Sequence, residues 1–178
     1  MAGFESITDR DAFGHWLSGF TDGEGCFYLG FQRNGKRERA PLAQFRIGLR
    51  LDDKDILERI KLYWNVGIIN VLDNGNQYTA TLRVSLIKDL TQVVIPHFHQ
   101  YPLRAKKARD FAIWEQGVLF MIEAKKRKTG QGRRYIEKDK ERFAAIRDAL
   151  QEQRKPESSR PLSLPVMPIE FSQGVLFD

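Results

Sequence analysis

Leu17-Ser18-Gly19-Phe20-Thr21-Asp22-Gly23-Glu24-Gly25 is the stretch on which the fold turns. Gly19 and Gly23 stand four apart, with small Ser18 beside them, in a segment where Phe13, Trp16, Leu17 and Phe20 recur at helical spacing. A glycine inside a helix costs about 1 kcal/mol relative to alanine, so two of them need a reason. Close approach of another helix is the usual one, best documented for small-xxx-small pairs in membranes. Asp22 and Glu24 fall at the helix C-terminus, where the macrodipole disfavours negative charge. That placement makes sense if a cation binds there. On a helix, residues two apart point in nearly opposite directions, so one copy of the stretch does not obviously build a two-carboxylate metal site. Pairing it with a twin across a two-fold axis brings two copies of Glu24 towards each other.

Working outward, the first helix is expected over about residues 9–23, with Thr8 and Asp11 as a capping-box-like start and Gly23 and Gly25 as its end. Strict alternation follows. Phe27, Leu29 and Phe31 share one face, and Tyr28, Gly30, Gln32 and Asn34 the other. Beyond a loop at Asn34-Gly35-Lys36-Arg37, polar Gln44, Arg46, Gly48 and Arg50 alternate with Phe45, Ile47, Leu49 and Leu51. This is a hairpin with one apolar face and one polar or basic face. Asp52 or Asp53 is placed to cap a second helix burying Ile56, Leu57, Ile60 and Trp64. A second hairpin spans about residues 67–85, turning at Asp73-Asn74-Gly75-Asn76, where Asn-Gly suits a type I′ turn. Tyr78, Ala80, Leu82 and Val84 form its apolar set, beside Thr79, Thr81, Arg83 and Ser85. Helices are expected at about 87–99, 104–126 and 135–154. The fold class is therefore α+β: an αββαββα core, a four-stranded antiparallel saddle sheet covered on its apolar face, and extra C-terminal helices. Residues 1–154 form the domain, and 155–178 a Pro-rich tail holding four of the seven prolines.

The composition narrows the partners. In 178 residues, 29 Lys and Arg outnumber 23 Asp and Glu, for a net charge of +6, which favours an anionic partner, nucleic acid before membrane. From Cys26 to Arg50, six Lys and Arg face one acid, Glu38. A solvated strand face needs no such bias. No apolar run reaches the roughly 18 residues of a membrane span, and the N-terminus lacks the order of a secretion signal. A cytoplasmic or organellar location is expected. The lone Cys26 excludes a disulfide scaffold and a cysteine-based zinc site. His97 and His99 read as surface or packing residues, and Trp16, Trp64 and Trp114 as core.

The nonapeptide resembles the motif that names the LAGLIDADG homing endonucleases. Leu17, Gly19, Asp22, Gly23, Glu24 and Gly25 stand where that family has leucine, glycine, acid, small residue, acid and glycine. Ser18 replaces the common alanine, and Glu24 the more common aspartate at the metal-binding position. The order of elements through about residue 100 is similar to the family core. One copy of the motif is present, which resembles the homodimeric, single-motif class and implies a long, pseudo-palindromic duplex target.

The resemblance implies site-specific double-strand DNA cleavage, by hydrolysis assisted by Mg²⁺ or another divalent cation held by Glu24 and a main-chain carbonyl near Gly23. It implies a pocket lysine at Lys106 or, one step along, Lys107. Arg50 stands in for a family glutamine at the end of the second strand. Tyr28, Gln32, Asn34, Gln44, Arg46, Arg50, Asn70 and Arg83 become DNA contacts on the sheet, with Lys36, Arg37 and Arg39 reaching out from the hairpin loop. Lys125-Lys126-Arg127-Lys128 suits non-specific phosphate contact. Ser18, Gly19, Asp22 and Gly23 become the dimer interface. Relatives on the same fold imply two alternatives, an RNA-binding splicing maturase and a non-cleaving DNA-binding regulator.

Overall fold

The computed structural model describes residues 9–34, 37–73, 75, 78–126 and 135–155, without the side chains of 33, 34 and 37–39. Asp9 starts α1 (Arg10–Glu24) by accepting a 2.9 Å hydrogen bond from the Ala12 N–H, so Asp9 is the cap in place of the expected Thr8–Asp11 pair. Thr8 lies outside the described residues. Gly25 ends α1 in extended backbone and begins β1 (Gly25–Asn34), which pairs antiparallel with β2 (Arg37–Arg50).

A 3₁₀ turn, Leu51–Asp53, leads into α2 (Lys54–Trp64). Asp53 occupies the N-cap position without a side-chain capping bond, and its neighbour Asp52 is paired with Arg50, so neither expected aspartate caps α2 through its side chain. The second hairpin is β3 (Ile68–Asp73) and β4 (Tyr78–Val84). At its turn the Asp73 carboxylate accepts from the Gly75 N–H at 2.8 Å, and Gly75 takes a φ of +81°; Asn74 and Asn76 lie outside the described residues. The sheet order is β1-β2-β4-β3, all antiparallel.

The segment expected as one helix at 87–99 is α3 (Ile87–Asp89), a π-helical turn at Leu90–Val94, and α4 (Ile95–Gln100). The Ile95 N–H reaches back to the Leu90 carbonyl, and Pro96, which has no N–H to give, follows it. Two longer helices complete the fold, α5 (Lys107–Lys126) and α6 (Glu137–Arg154). The tail from 156 onward lies outside the described residues.

The alternation places the core as expected. Phe27, Leu29, Phe45, Ile47, Ala80, Leu82 and Val84 are buried on one sheet face, against Leu17, Leu57, Ile60, Phe98, Trp114 and Val118 from the helices. Gly117 admits Leu29 so closely that a Cβ there would meet its side chain at 2.7 Å. Arg154 ties α6 to the site of closest packing, bonding Asp110 at 2.8 Å and the Phe27 carbonyl.

Two expectations fail at the edges. Trp16 is 43% exposed, whereas Trp64 and Trp114 are core; it stacks along α1 on Phe20. Tyr78, placed in the apolar set of β4, is exposed at the turn end of the short hairpin, where it pairs with Asp73.

His97 packs edge-on to Trp64 at 5.2 Å, and burial pushes its pKa down to about 4. The folded chain therefore holds the neutral imidazole, and the unfolded chain takes up the proton first. This contribution is intact above pH 6.5 and is lost as pH falls from 6.5 towards 4, by about 3 kcal/mol at most. Urea unfolding across that window should show stability falling more steeply in the wild-type chain than in His97→Phe; parallel curves would contradict the assignment.

Candidate active site

The end of α1 and the start of α5 are joined by a reciprocal electrostatic contact. Asp22 Oδ2 accepts from the backbone N–H groups of Arg104, at 2.8 Å, and Ala105, at 3.1 Å, in the turn that leads into α5. In return the Lys107 ammonium donates to the main-chain carbonyls of Asp22 and Gly23, each at 3.3 Å. An anion thus sits at a helix N-terminus and a cation at a helix C-terminus, both favoured by the dipoles. Lys107 thus places one positive charge at the C-terminal end of α1.

Ser18 closes the same joint, its Oγ donating to the Tyr101 carbonyl at 2.6 Å. The Tyr101 ring lies across Gly14, where a Cβ would meet it at 2.4 Å. Gly14 is the glycine of α1 that the chain's own packing requires, and the sequence reading passed over it. Burial, followed by hydrogen bonds to Asp11 and Tyr63, pushes the Tyr101 hydroxyl up to about 12.

Ser18 and Asp22, expected at a dimer interface, are therefore turned into their own chain. Gly19 and Gly23 are different. They are exposed, and a Cβ on either would meet nothing within 4 Å. Ala12 and Trp16 are exposed one and two turns earlier, so the outer face of α1 is an uncovered strip of small residues flanked by an aromatic ring.

Glu24, at the junction of α1 and β1, is exposed and makes no hydrogen bond or ion pair with a described residue. Its oxygen chemistry suits a hard divalent cation such as Mg²⁺. The Gly23 carbonyl assigned beside it accepts from Lys107. Among the described residues no group of three His, Cys, Asp or Glu side chains is arranged to hold a metal. This chain thus fits a metal through one carboxylate, leaving most coordination positions to water, substrate oxygens or a second unit.

Of the two lysines, Lys107 is engaged at the end of α1, whereas Lys106 is exposed and pairs with no described residue. Arg50 is paired with Asp52 at 2.9 Å through its Nη2, on an exposed part of the surface.

The sheet face away from the core is ordered in cross-strand rows. One row is Cys26, Arg46, Arg83 and Ile68; the next is Gly48, Thr81 and Asn70; the third is Arg50, Thr79 and Leu72. Arg46 and Arg83 are directly opposed, an unfavourable pairing of like charges in a bare sheet. Arg83 keeps its Nε buried without a partner among the described residues. Gln44, expected as a base contact, is only 5% exposed; Tyr28, its cross-strand partner, lies on the same face, and Gln32 is exposed at a shift in the β1–β2 register. Lys36, Arg127 and Lys128 lie outside the described residues, as do the side chains of Asn34, Arg37 and Arg39; Lys125 and Lys126 are exposed at the end of α5.

A mixed fold of this order, with an open sheet face and a glycine-lined helix, defines a class that comparison with known proteins identifies. Residues 17–118 match the family model described as LAGLIDADG endonuclease. The chain belongs to the LAGLIDADG endonuclease family. It is 34% identical over 113 residues to the Neurospora crassa protein named probable intron-encoded endonuclease 2, covering 62% of this chain and 25% of that protein. It is 32% identical over 121 residues to probable intron-encoded endonuclease Cox1-I1b of Schizosaccharomyces pombe, covering 67% of this chain and 30% of the other. The chain thus spans about a quarter to a third of these curated relatives.

Among solved structures, the I-SmaMI LAGLIDADG homing endonuclease bound to cleaved DNA aligns with a TM-score of 0.68 at 21% identity, over 87% of this chain and 48% of that one. The homing endonuclease I-TnaI aligns with a TM-score of 0.63 at 23% identity, over 79% of this chain and 94% of that one. At these identities the likeness is one of fold. No helix of the described residues is long and apolar enough to cross a membrane.

Removing the Asp22 carboxylate leaves the Arg104 and Ala105 N–H groups without their acceptor. Asp22→Ala should lower stability by about 1–3 kcal/mol, and Asp22→Asn by less, since an amide oxygen still accepts. Denaturant midpoints check this, and an unchanged midpoint in Asp22→Ala would refute the joint.

Proposed function

We propose that this chain is the DNA-cleaving unit of a homing endonuclease and works as a pair with a second copy, cutting both strands of a long, pseudo-palindromic duplex. The observation that carries this reading is the uncovered face of α1, where Gly19 and Gly23 leave open space immediately before the unpaired carboxylate of Glu24. A glycine within a helix is costly, and no described residue approaches these two closely enough to require them. A second α1 laid against them across a two-fold axis explains both and brings two Glu24 carboxylates to one place. The near end-to-end match to the I-TnaI chain supports a unit of this size.

In this reading the open sheet face meets the major groove, with Arg46, Arg83, Gln32 and Asn70 towards base edges and the basic hairpin loop along the backbone. Glu24 would hold a divalent ion; Mg²⁺ or a similar cation there would supply Lewis-acid stabilisation and a more acidic water. I-SmaMI has been solved with uncleaved DNA in the presence of calcium ions, which supports a divalent cation. Lys107 fixes the last carbonyls of α1 and so the position of Glu24. Lys106, exposed beside it, offers its ammonium to the charge that develops on the phosphate as water attacks phosphorus and the 3′ oxygen leaves. The pairing of Arg50 with Asp52 weighs against Arg50 as a catalytic group. The relatives' names, probable intron-encoded endonucleases, support an intron-mobility role in the cytoplasm or an organelle.

Glu24→Gln removes the negative charge with little change of shape. It should lower duplex cleavage roughly a hundredfold or more while specific binding persists; a gel assay with and without EDTA reads both, and normal cutting by the variant would overturn the metal assignment. Gly19→Phe should give a monomer in sedimentation, with cleavage lost. A dimer of unchanged mass would overturn the α1 interface.

A further inference from the structure

Three arginines point from the open sheet face, and they are not equivalent. Arg50 is paired with Asp52 on the exposed end of β2. Arg83 has a buried Nε that no described group accepts. Arg46 is built into a frame. Its guanidinium lies over the Tyr28 ring at 4.3 Å, and its Nε donates to Gln44 Oε1 at 2.7 Å, with Nη2 donating to the same oxygen. Gln44 is nearly buried, so the acceptor is fixed. The Tyr28 ring is fixed as well, because it lies over Gly30, where a Cβ would meet the hydroxyl oxygen at 2.4 Å and the ring carbons at 2.8–2.9 Å.

This frame covers one face of the guanidinium and engages its Nε–Nη2 side. The Nη1–Nη2 end remains, with two parallel N–H donors. Two such donors match the O6 and N7 acceptors of guanine in the major groove. A guanidinium already held in place gives up less side-chain freedom on binding than a free one, so its preference is expressed as discrimination. Gly48, the next residue on this face of β2, has no side chain to keep a base edge away from Arg46, and its row neighbour Thr81 is 3.5 Å from where a Cβ would stand.

We infer that Arg46 is a guanine-reading residue of this face, that Tyr28 and Gln44 hold it for that purpose, and that Gly30 is a positioning residue for base specificity. The inference rests on the duplex-DNA reading given above and goes beyond it by assigning one base type to one side chain. Gln44, in consequence, does not read a base itself; its amide oxygen belongs to Arg46.

The test is selection of bound duplexes from a randomised library, by the wild-type chain and by Arg46→Lys, Gly30→Ala and Arg50→Ala, with thermal melting to confirm that each variant folds. Arg46→Lys keeps the charge but loses the fork, so preference for guanine should fall about tenfold or more at one base pair per half-site, with other positions unchanged. Gly30→Ala, which displaces Tyr28, should weaken preference at that same base pair and leave the dependence of affinity on salt as it was. Arg50→Ala should leave that guanine selected. If the wild-type chain selects a sequence and Arg46→Lys selects the same one with the same stringency, Arg46 does not read guanine and the inference falls while the function stands. If Arg46→Lys relaxes the guanine but Gly30→Ala changes nothing, the positioning role falls. A wild-type chain that binds no duplex overturns the DNA reading, and this inference with it.

Discussion

Everything at the candidate site hangs on the joint between α1 and α5. Asp22 gives its carboxylate to the N–H groups that open α5, and Lys107 gives its ammonium to the carbonyls that close α1. Each helix end supplies what the other lacks, and the two sites are about 83 residues apart in sequence. The joint fixes how far α1 extends before it hands over to β1, and therefore where Glu24 stands. It also separates two acids that look alike in the sequence. Asp22 is structural, held within the chain; Glu24 is left exposed.

With the joint in place, the molecule presents two unfinished surfaces that meet at Glu24. Below the sheet, aromatic and aliphatic side chains fill the space between strands and helices. Above it, arginines stand opposite one another across β2 and β4 without the acids that would neutralise them. Along α1, glycines leave room that no described residue fills. A sheet face short of anions and a helix face short of a neighbour are both costly to leave bare. A duplex on one and a second unit on the other would complete both, and the carboxylate at their junction would then lie beside a phosphate.

Much of this was legible in the sequence because two periodicities are strong there. Alternation from Phe27 to Leu49 separated core from open face, but not Leu51, which lies exposed in the turn beyond β2, and the 3.6-residue spacing in α2 marked Leu57 and Ile60 as buried. Contacts between distant residues were not legible. A sequence gives no sign that Ser18 meets Tyr101, or that Gly14 must be small for the same ring. Trp16 has the spacing of a core residue, but periodicity does not say which apolar face its own chain covers. The sequence leaves Lys106 and Lys107 open because the match to the family segment slips by one residue, and the contact that sets them apart, Lys107 with the end of α1, is made across 85 residues of sequence. Gln44 reads as a base contact by alternation alone; only its bond to Arg46 shows that its oxygen is already taken.

The measurement that bears most directly on the function is mapping of cut ends on both strands of a cleaved duplex, recovered from a library incubated with the chain and Mg²⁺. Two Glu24 sites related by a two-fold axis predict one break per strand, at a fixed offset, and no breaks when EDTA is present. Breaks on one strand only, a variable offset, or a duplex that is bound and never cut would contradict a paired, metal-assisted endonuclease.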